Sequence, residues 1–298
     1  MAKILITGGT GLVGKHLTQS LLKLGHEVVW LSRVPKANSI AKVYEWQPQN
    51  GYIDEKAFDG VEYIVHLAGE GIADKKWSDK RITELKESRI KTAALLSTYI
   101  LKLNLPLKAF VGASAIGYYG AITSDKVFTE TDGSAADILG TICKEWELSY
   151  EPLKNNKIPL SIIRIGLVLA KDGGMYKKLR PLFNSGLGSA IGTGKQFMPW
   201  IHIDDLVEIF ISALFAKIPA GTYNAVSSEH ITNDDFSKQF AHSLNKSFFM
   251  PSVPAFMLRI LFGKMAVILL EGSKVSNKKL IDEGFQFKHQ RLSEALSF

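Results

Sequence analysis

Four glycines in the stretch "ITGGTGLVGKHL" have the spacing of a phosphate-binding turn. Gly9, Gly11 and Gly14 match the pattern G-x-G-x-x-G, and Gly8, Gly11 and Gly14 match the related pattern G-x-x-G-x-x-G. Glycines at these positions let the backbone turn tightly and let a pyrophosphate approach it closely. A glycine-rich turn without a ligand is the alternative, because either pattern by itself is a weak signal.

The segments on either side of the glycines favour the phosphate-binding interpretation. The run Ala2–Ile6 is short and β-prone, and the run after the glycines places leucine and valine side chains on one helical face. A helix N-terminus presents unpaired N–H groups and a partial positive charge to an anion. We therefore predict a dinucleotide site here, formed by Gly8, Thr10, Gly11, Leu12 and Val13.

Ser32 and Arg33 end the second predicted strand, where the choice between NAD and NADP is usually made. A chain that prefers NAD usually has Asp or Glu at this place, accepting a hydrogen bond from the ribose 2′-hydroxyl. A guanidinium pairs instead with a 2′-phosphate, and a serine hydroxyl can donate to it. These residues predict NADP rather than NAD. The alternatives are that Arg33 only caps the surface of the strand, or stacks on the adenine of NAD.

Strand and helix signals alternate through the first half of the chain. The apolar runs "HEVVWLSR", "VEYIVHLAG" and "LKAFVGASA" predict strands, and Lys80–Asn104 has the periodicity of a helix. This alternation predicts an α/β fold, a Rossmann-type doubly wound parallel sheet that binds ligands at the carboxyl ends of its strands. The candidate residues at such ends are Gly8–Gly14, Ser32, Arg33, Leu67, Ala68, Gly69 and Ser114.

The second half of the chain alternates less regularly. "PLSIIRIGLVL" and "GTYNAVSS" predict strands, whereas "IHIDDLVEIFISALF" and "TNDDFSKQFAHSLN" predict helices, the second capped by Thr232 or Asn233. With no linker visible between the parts, we predict two interleaved units. Residues 1–166 and 203–228 form the dinucleotide-binding domain, and residues 167–202 and 229–298 form a smaller substrate lobe.

The most apolar segment is "AFMLRILFGKMAVILL", residues 255–270. A membrane span needs roughly 20 apolar residues with few charges, and this segment is shorter and contains Arg259 and Lys264. We therefore predict no membrane span. A buried helix of the smaller lobe is the preferred interpretation, and a basic amphipathic helix on the surface is the alternative.

Composition limits the remaining classes of function. The chain has 46% hydrophobic and 22% charged residues, which is typical of a globular protein. Cys143 is the single cysteine, and the start of the chain shows no signal-peptide pattern, so we expect a reducing, cytoplasmic setting. The net charge of +7 comes from scattered lysines, which does not favour nucleic acid as a partner. Histidine and acidic residues show no metal-binding spacing.

Several motifs resemble those of the extended short-chain dehydrogenase/reductases, the NAD-dependent epimerase/dehydratase superfamily. The motifs are "TGGTGLVG", "HLAG", "SAIGYYG", "RIGLVL" and "WIHIDDL". "KKWSDKRITELKESRIKT", "CKEWE", "YNAVSSEHITNDDF" and the tail from "PAFMLRILFGK" to "LIDEGFQF" resemble an atypical subgroup, the epimerase-like proteins often labelled cell-division-inhibitor-like. The resemblance covers essentially the whole chain. It implies a C-terminal domain of unknown function, and it implies that Arg164 and Gly166 of "RIGLVL" border the cofactor.

The resemblance also implies a catalytic set, from which this chain departs. Members of the wider family use a Ser or Thr, a Tyr-x-x-x-Lys pair and often an Asn, and Ser114 matches the first of these. The Tyr-x-x-x-Lys pair falls on Leu139 and Cys143, or in a second alignment places Gly140 at the Tyr position. The position of the family's Asn is Ser88. The residues that define the family's standard chemistry are therefore missing.

Tyr118 and Tyr119 follow Ser114 closely and are substitute candidates for the missing acid, although both are alternatively interpreted as packing residues. A phenol with an ordinary pKa of about 10 needs a nearby cation or donor to act as a base at neutral pH. We interpret Cys143, His66 and His202 as structural. The basic residues expected in the substrate lobe suit an anionic substrate or form a solvated face, and they are Lys177, Lys178, Arg180 and Lys195.

Two hypotheses of function remain open at this stage. The first is an NADP-dependent oxidoreductase or epimerase that acts on a small, unidentified substrate. The second is a non-catalytic protein that senses NADP or binds a partner and has lost the Tyr-x-x-x-Lys pair. Both need the phosphate-binding turn, and only the first needs a proton donor beside the nicotinamide. The oligomeric state is left open.

Overall fold

The computed structural model describes residues 1–34 and 39–297, and twelve strands lie within these ranges. They are β1 Lys3–Thr7, β2 Glu27–Ser32, β3 Lys42–Gln47, β4 Tyr52–Ile53, β5 Tyr63–His66, β6 Ala109–Ala115, β7 Val127–Phe128, β8 Leu160–Ile165, β9 Leu167–Ala170, β10 Trp200–His202, β11 Thr222–Ala225 and β12 Lys274–Val275.

Eight of the strands form one sheet in the order β11-β8-β6-β5-β1-β2-β3-β4. Every pair in it is parallel except β3 with β4. The chain moves outward from β1 through β2 on one side and through β5 on the other. This reversal of strand order creates a crevice beyond the carboxyl ends of β1 and β5, which is where doubly wound sheets bind ligands. The predicted fold class is confirmed.

The helices of the described residues complete the layers around the sheet. They are α1 Leu12–Lys23, α2 Asp79–Lys102, α3 Ile138–Leu148, α4 Glu151–Asn155, α5 Gly174–Asn184, α6 Ile203–Leu214, α7 Asn233–Ser243, α8 Ala255–Phe262, α9 Val267–Leu270, α10 Lys278–Asp282 and α11 Leu292–Ala295. Helix α1 packs against α6, and α2 packs against α3. Such helices bury the strands of a parallel sheet, and the central strands β1 and β6 are almost wholly buried.

The run "PLSIIRIGLVL" forms two strands where the sequence predicted one. Gly166 separates β8 from β9, and β9 leaves the main sheet to pair with β10. The backbone at Gly166 passes so close to the carbonyl oxygen of Pro199 and the side chain of Val226 that a Cβ atom there would overlap both. The chain therefore changes sheets at a position where only glycine, which has no side chain, fits against Pro199 and Val226.

The C-terminal segment is tied into the rest of the molecule at several places. Strand β12 pairs with β7, and Leu280 and Phe285 join the core cluster of the main sheet. Met265 belongs to a second apolar cluster with Trp77 and Leu85. Because residues beyond 229 contribute to the core of the main sheet, the division into two units by residue range stays a prediction.

Helix α8 contradicts the preferred interpretation of segment 255–270. Leu258 is buried, whereas Phe256 and Ile260 are 63% and 75% exposed. The expectation of a buried helix is wrong, because apolar composition alone does not show which face of a helix finds a partner. No helix in the described ranges is long and apolar enough to cross a membrane.

Candidate functional site

The turn between β1 and α1 is built on close backbone contacts. Gly8 has φ +70°, and its carbonyl oxygen accepts a hydrogen bond from the Gly11 N–H at 3.0 Å. A Cβ atom at Gly14 would overlap that same oxygen, and one at Gly9 would overlap the ring of Trp30. Each glycine except Gly11 is therefore required by packing within the protein.

Gly11 differs because the space around it is open. A Cβ atom there would meet only the Gly8 oxygen, at 3.2 Å. Gly11 is the N-cap of α1, where no side chain caps the helix and the first turn has no acidic residue. The N–H groups of the first turn, beginning at Leu12 and Val13, have no intrahelical acceptor. An uncapped helix N-terminus below an open glycine fits a phosphate group.

The loop after β5 forms the opposite wall of this turn. A Cβ atom at Gly8 would lie 2.8 Å from the carbonyl group of Leu67, so the two loops are in contact. The Thr7 hydroxyl accepts hydrogen bonds from the N–H groups of Leu67 and Ala68, both at 3.2 Å. The predicted residues Leu67, Ala68 and Gly69 thus lie beside the glycine turn.

His66 supports the same loop from within the sheet. Its Nδ1 lies 2.7 Å from the Thr7 hydroxyl, and its Nε2 lies 3.3 Å from the Thr92 hydroxyl. Complete burial lowers the pKa of His66 to about 3, so the ring is neutral in the folded protein. The structure agrees with the interpretation of His66 as a core histidine.

Arg33 lies at the end of β2 with its side chain 72% exposed. Its Nη1 donates to Glu70 Oε1 at 3.1 Å, and the other Glu70 oxygen lies 3.6 Å from Nη1 of the buried Arg81. The Ser32 hydroxyl bonds to the backbone of Val34. An exposed ion pair contributes only about 0–1 kcal/mol, so little free energy opposes a movement of Arg33 to an anionic ligand.

Ser114 is joined to a buried ion pair that the sequence did not predict. Its hydroxyl donates to Glu147 Oε1 at 2.6 Å, and the same carboxylate receives Nε and Nη2 of Arg164, each at 2.8 Å. Arg164 is almost fully buried. Arg164 therefore orients side chains of the site from inside the protein, and the place beside the cofactor that the resemblance implies for it stays a prediction. Gly166 lies at the crossing from β8 to β9, and its place beside the cofactor also stays a prediction.

The two tyrosines after Ser114 have different surroundings. The Tyr119 hydroxyl donates to Asn224 Oδ1 at 2.7 Å and accepts from Arg164 Nη1 at 2.9 Å, and burial raises the pKa of Tyr119 to about 12. Tyr118 is half-buried, and its ring lies 3.5 Å from the Arg164 guanidinium carbon. Within the described part of the chain, no hydrogen bond to the Tyr118 hydroxyl is found.

Glu147 and Asn224 are the site residues that sequence reasoning missed. Glu147 lies in the motif "CKEWE", and Asn224 lies on β11, 105 positions away from its partner Tyr119. The one available signal was that Glu147 lies on the apolar side of a predicted helix. A carboxylate buried there needs a cation as its partner. Nothing in the sequence indicated that this cation is Arg164.

Histidines 202 and 289 meet at the N-terminus of α6, where the sequence spacing predicted no metal ligands. Their potential ligand atoms and those of Asp204 lie within 4.8 Å of one another. His202 Nδ1 accepts from the Asp204 N–H at 3.2 Å, and His289 Nδ1 lies 3.2 Å from Asp205 Oδ2. The Nδ1 lone pair of His202 caps the helix, which agrees with the interpretation of His202 as structural.

The basic residues expected to face an anionic substrate are exposed side chains. They are Lys177, Lys178, Arg180 and Lys195. Lys178 lies 3.6 Å from Asp74, in a contact between two exposed groups. Their exposure is compatible with a solvated face, and an anionic substrate stays a prediction.

Comparison with known proteins gives the family of the chain. A model of the NAD dependent epimerase/dehydratase family matches residues 4–137, and a model of a domain of unknown function (DUF1731) matches residues 253–298. An epimerase family protein of Mycobacterium bovis is 33% identical over all of this chain and 97% of its own length. The human epimerase family protein SDR39U1 is 33% identical over 99% of this chain and 98% of its own length. The chain belongs to this epimerase family.

Solved structures agree with this assignment. A crystal structure of human SDR39U1 with NADPH superposes with a TM-score of 0.89 at 32% identity and covers 99% of this chain and 98% of that one. A nucleoside-diphosphate sugar epimerase from Corynebacterium glutamicum superposes with a TM-score of 0.80 at 29% identity. The superposition covers 99% of this chain and 57% of that one. The predicted membership of the extended short-chain dehydrogenase/reductases is confirmed.

As a member of the epimerase family, the protein has apolar packing where Tyr and Lys are expected. Cys143 and Leu139 both lie under Gly117, and burial raises the pKa of the Cys143 thiol to about 12. Leu139 packs against a cluster that includes Ile142 and, from the C-terminal segment, Met265. Cys143 is therefore buried and Leu139 is partly buried, and neither offers a titratable group near neutral pH.

Proposed function

We propose that this protein binds NADP(H) at the Gly8–Gly14 turn and acts as an epimerase-like oxidoreductase on a small, unidentified substrate. The observation that carries the proposal is the uncapped N-terminus of α1 below Gly11. Leu67, Ala68 and Gly69 supply the second wall of the site. Its cytoplasmic location is a prediction of the sequence and belongs to the same proposal.

Arg33 selects NADP(H) over NAD(H) in this proposal. Its guanidinium lies at the carboxyl end of β2, and the second strand of a dinucleotide-binding fold ends beside the adenosine ribose. A related protein, human SDR39U1, was crystallised with NADPH. NADP(H), when bound, supplies or accepts a hydride, and the chain must then provide the proton.

Tyr118 is the residue that we propose as the proton donor or acceptor. The hydroxyls of Ser114 and Tyr119 are already engaged by Glu147, Asn224 and Arg164. The Tyr118 hydroxyl has no such partner in the described ranges, and its ring is held over the Arg164 guanidinium. Ser114, Tyr119 and Arg164 then act as positioning residues behind it.

A second function, nucleotide sensing without catalysis, is favoured by the packing on α3. Leu139 is covered by the apolar cluster that includes Met265, and Cys143 is buried. A sensor needs only the phosphate and adenosine contacts, so it tolerates this packing. The two functions share the cofactor site and differ in the requirement for Tyr118.

The cofactor proposal is tested by calorimetric titration of the protein with NADPH and NADH. We expect NADPH to bind more tightly, and we expect Arg33→Asp to reverse or abolish the preference, because a carboxylate repels the 2′-phosphate. Lys23→Asp, an equal change of charge on the exposed end of α1, is the control and keeps the preference. Equal affinities of the unmodified protein for both dinucleotides would contradict the assignment of Arg33.

The catalytic proposal is tested by following NADPH oxidation with a panel of carbonyl compounds and nucleotide sugars. On a substrate that is turned over, Tyr118→Phe should lower kcat by about 10²–10⁴-fold while NADPH still binds. Tyr52→Phe changes an exposed tyrosine on β4 and should leave kcat unchanged. Tight NADPH binding with no turnover of any compound would support the sensing function instead.

A further inference from the structure

Helix α8 has its apolar side turned toward solvent. Phe256, Met257, Ile260 and Leu261 are 63%, 44%, 75% and 52% exposed, and we call these four residues the α8 surface. Positions three and four apart are neighbours on a helix surface, so Phe256 lies beside Ile260, and Met257 lies beside both Ile260 and Leu261. The four side chains therefore form one patch. Leu258 and Phe262 occupy the opposite face, where they attach the helix to the protein.

An outward apolar patch of this kind requires an explanation. Single exposed apolar residues are normal, but contiguous apolar patches on soluble proteins mark surfaces for proteins or membranes. The helix holds its position through Leu258, through Phe262 and through a bridge between Gly263 and Trp77. The patch is therefore a fixed feature of the folded chain.

The exposed charges around the α8 surface are mostly positive. The bridge to Trp77 brings the segment "DKKWSDK", residues 74–80, beside the end of α8. The exposed basic residues of segment 74–80, of α8 and directly after α8 are Lys75, Lys76, Lys80, Arg259 and Lys264. The acidic residues there are Asp74, Asp79 and Glu271, and Asp79 pairs with Lys264 at 2.7 Å. The five basic residues outnumber the three acidic ones.

This excess of positive charge decides between the possible occupants. A symmetric contact between two copies of the chain places each patch against itself and brings the same lysines together, which is unfavourable. An anionic bilayer attracts basic side chains at its surface and accepts large apolar side chains below its headgroups. Short apolar helices with basic neighbours bind in the plane of the interface without spanning it.

We propose that the α8 surface is a docking site for an anionic lipid bilayer. Phe256, Ile260 and their neighbours insert among the headgroups, and Arg259 with the surrounding lysines contacts lipid phosphates. The protein then binds the membrane reversibly, because one short helix buries little apolar area. This proposal is independent of the chemistry at Tyr118.

The test is co-sedimentation of the full chain with vesicles of phosphatidylcholine mixed with phosphatidylglycerol. We expect binding that falls as salt rises and that is at least about tenfold weaker for phosphatidylcholine alone. The variant Phe256→Ser/Ile260→Ser should lose about tenfold or more in affinity, because it removes the inserted side chains. Arg259→Gln should lose about fivefold, which is the effect of one basic residue near an anionic surface.

Ile281→Ser changes an exposed apolar residue on α10 and is the matched control, with binding unchanged. Thermal melting shows whether each variant is folded, and Ile260→Gln is the milder variant if the double one is not. Failure of the unmodified protein to sediment with the mixed vesicles would overturn the proposal. So would equal binding of the folded Ser variant, or concentration-dependent dimerisation that this variant abolishes.

Discussion

Arg164 is a buried cation whose contacts order the side chains around it. Glu147 binds it through both oxygens, Tyr119 accepts from it, and Tyr118 stacks on it. A buried bidentate ion pair contributes little against an apolar pair of the same shape, but removal of one partner leaves an uncompensated charge. The pair therefore fixes the geometry of the site, and its loss is costly.

The first prediction concerns this ion pair. Glu147→Gln should lower the free energy of unfolding by about 3–5 kcal/mol, because Arg164 stays buried without its carboxylate. Glu145→Gln, on the same helix, removes an exposed pair with Lys86 and should cost about 0–1 kcal/mol. Urea denaturation measures both variants. Equal small effects would mean that water or another acceptor satisfies Arg164.

The second prediction concerns His66 and the dependence of stability on pH. The pKa of His66 is about 3 in the folded protein, whereas the ordinary value of 6.5 applies to the unfolded chain. Below pH 6.5 the unfolded chain therefore binds a proton that the folded chain does not bind. The contribution of neutral His66 to the free energy of unfolding is complete above pH 6.5. It is lost as the pH falls toward 3, by about 1.4 kcal/mol per pH unit.

Denaturation curves at a series of pH values, compared with those of His66→Asn, isolate this contribution. The variant should lose that part of the slope, whatever its absolute stability. His242→Asn, at an exposed position on α7, leaves His66 in place and is the control. A slope that is the same in the unmodified protein and in His66→Asn would show that His66 is protonated in the fold.

At the scale of single elements, local signals were accurate where a strand or helix has a clear pattern. The predicted helix Lys80–Asn104 is α2, and Thr232 caps α7 as one of the two expected residues. The sequence did not predict α5, because its N-cap and first residue are Gly173 and Gly174, and because it contains Pro181, which removes a helix hydrogen bond. It also did not predict β3, which lies next to the edge strand β4.

The residues of the candidate site also fall into two groups, those whose position follows from local sequence and those that only tertiary packing brings together. The placement of the glycine turn, of Arg33 and of the loop after β5 was predictable, because each follows a strand and strand ends converge in a parallel sheet. The ion pair of Glu147 with Arg164 was not predictable, because its partners come from α3 and β8 and only tertiary packing joins them. The orientation of α8 depends on the same kind of packing.

The third prediction compares two glycines, Gly11 at the N-cap of α1 and Gly14 in its first turn. Gly14→Ala should lower the free energy of unfolding by about 1–3 kcal/mol, because its Cβ overlaps the backbone of Gly8 and backbone cannot move aside. Gly11→Val should leave stability nearly unchanged and abolish NADPH binding, because its side chain occupies the open space over the helix N-terminus. Urea denaturation and calorimetry measure the two effects. Unchanged NADPH affinity of a folded Gly11→Val protein would place the phosphates elsewhere.

At the scale of the whole molecule, the C-terminal segment packs into cores that are formed mainly by earlier parts of the chain. Residues 253–298 match a separate family model, yet Leu280 and Phe285 lie in the core of the main sheet. Leu292 lies in the cluster that contains Trp200. The segment therefore completes two cores that earlier parts of the chain begin, which a detachable domain would not do.

The last prediction follows from this sharing of cores. A chain that ends at Ser252 lacks Leu280, Phe285 and Leu292, and each buried apolar side chain of this size contributes about 2–5 kcal/mol. Their sum is comparable to the whole stability of a typical protein, about 5–15 kcal/mol. We expect the shortened chain to show no cooperative thermal transition and no NADPH binding, although its glycine turn is intact. A chain that ends at Leu296 is the control and should melt like the full protein. If the chain ending at Ser252 instead melts sharply and binds NADPH, residues 253–298 are an independent addition and the glycine turn needs no support from them.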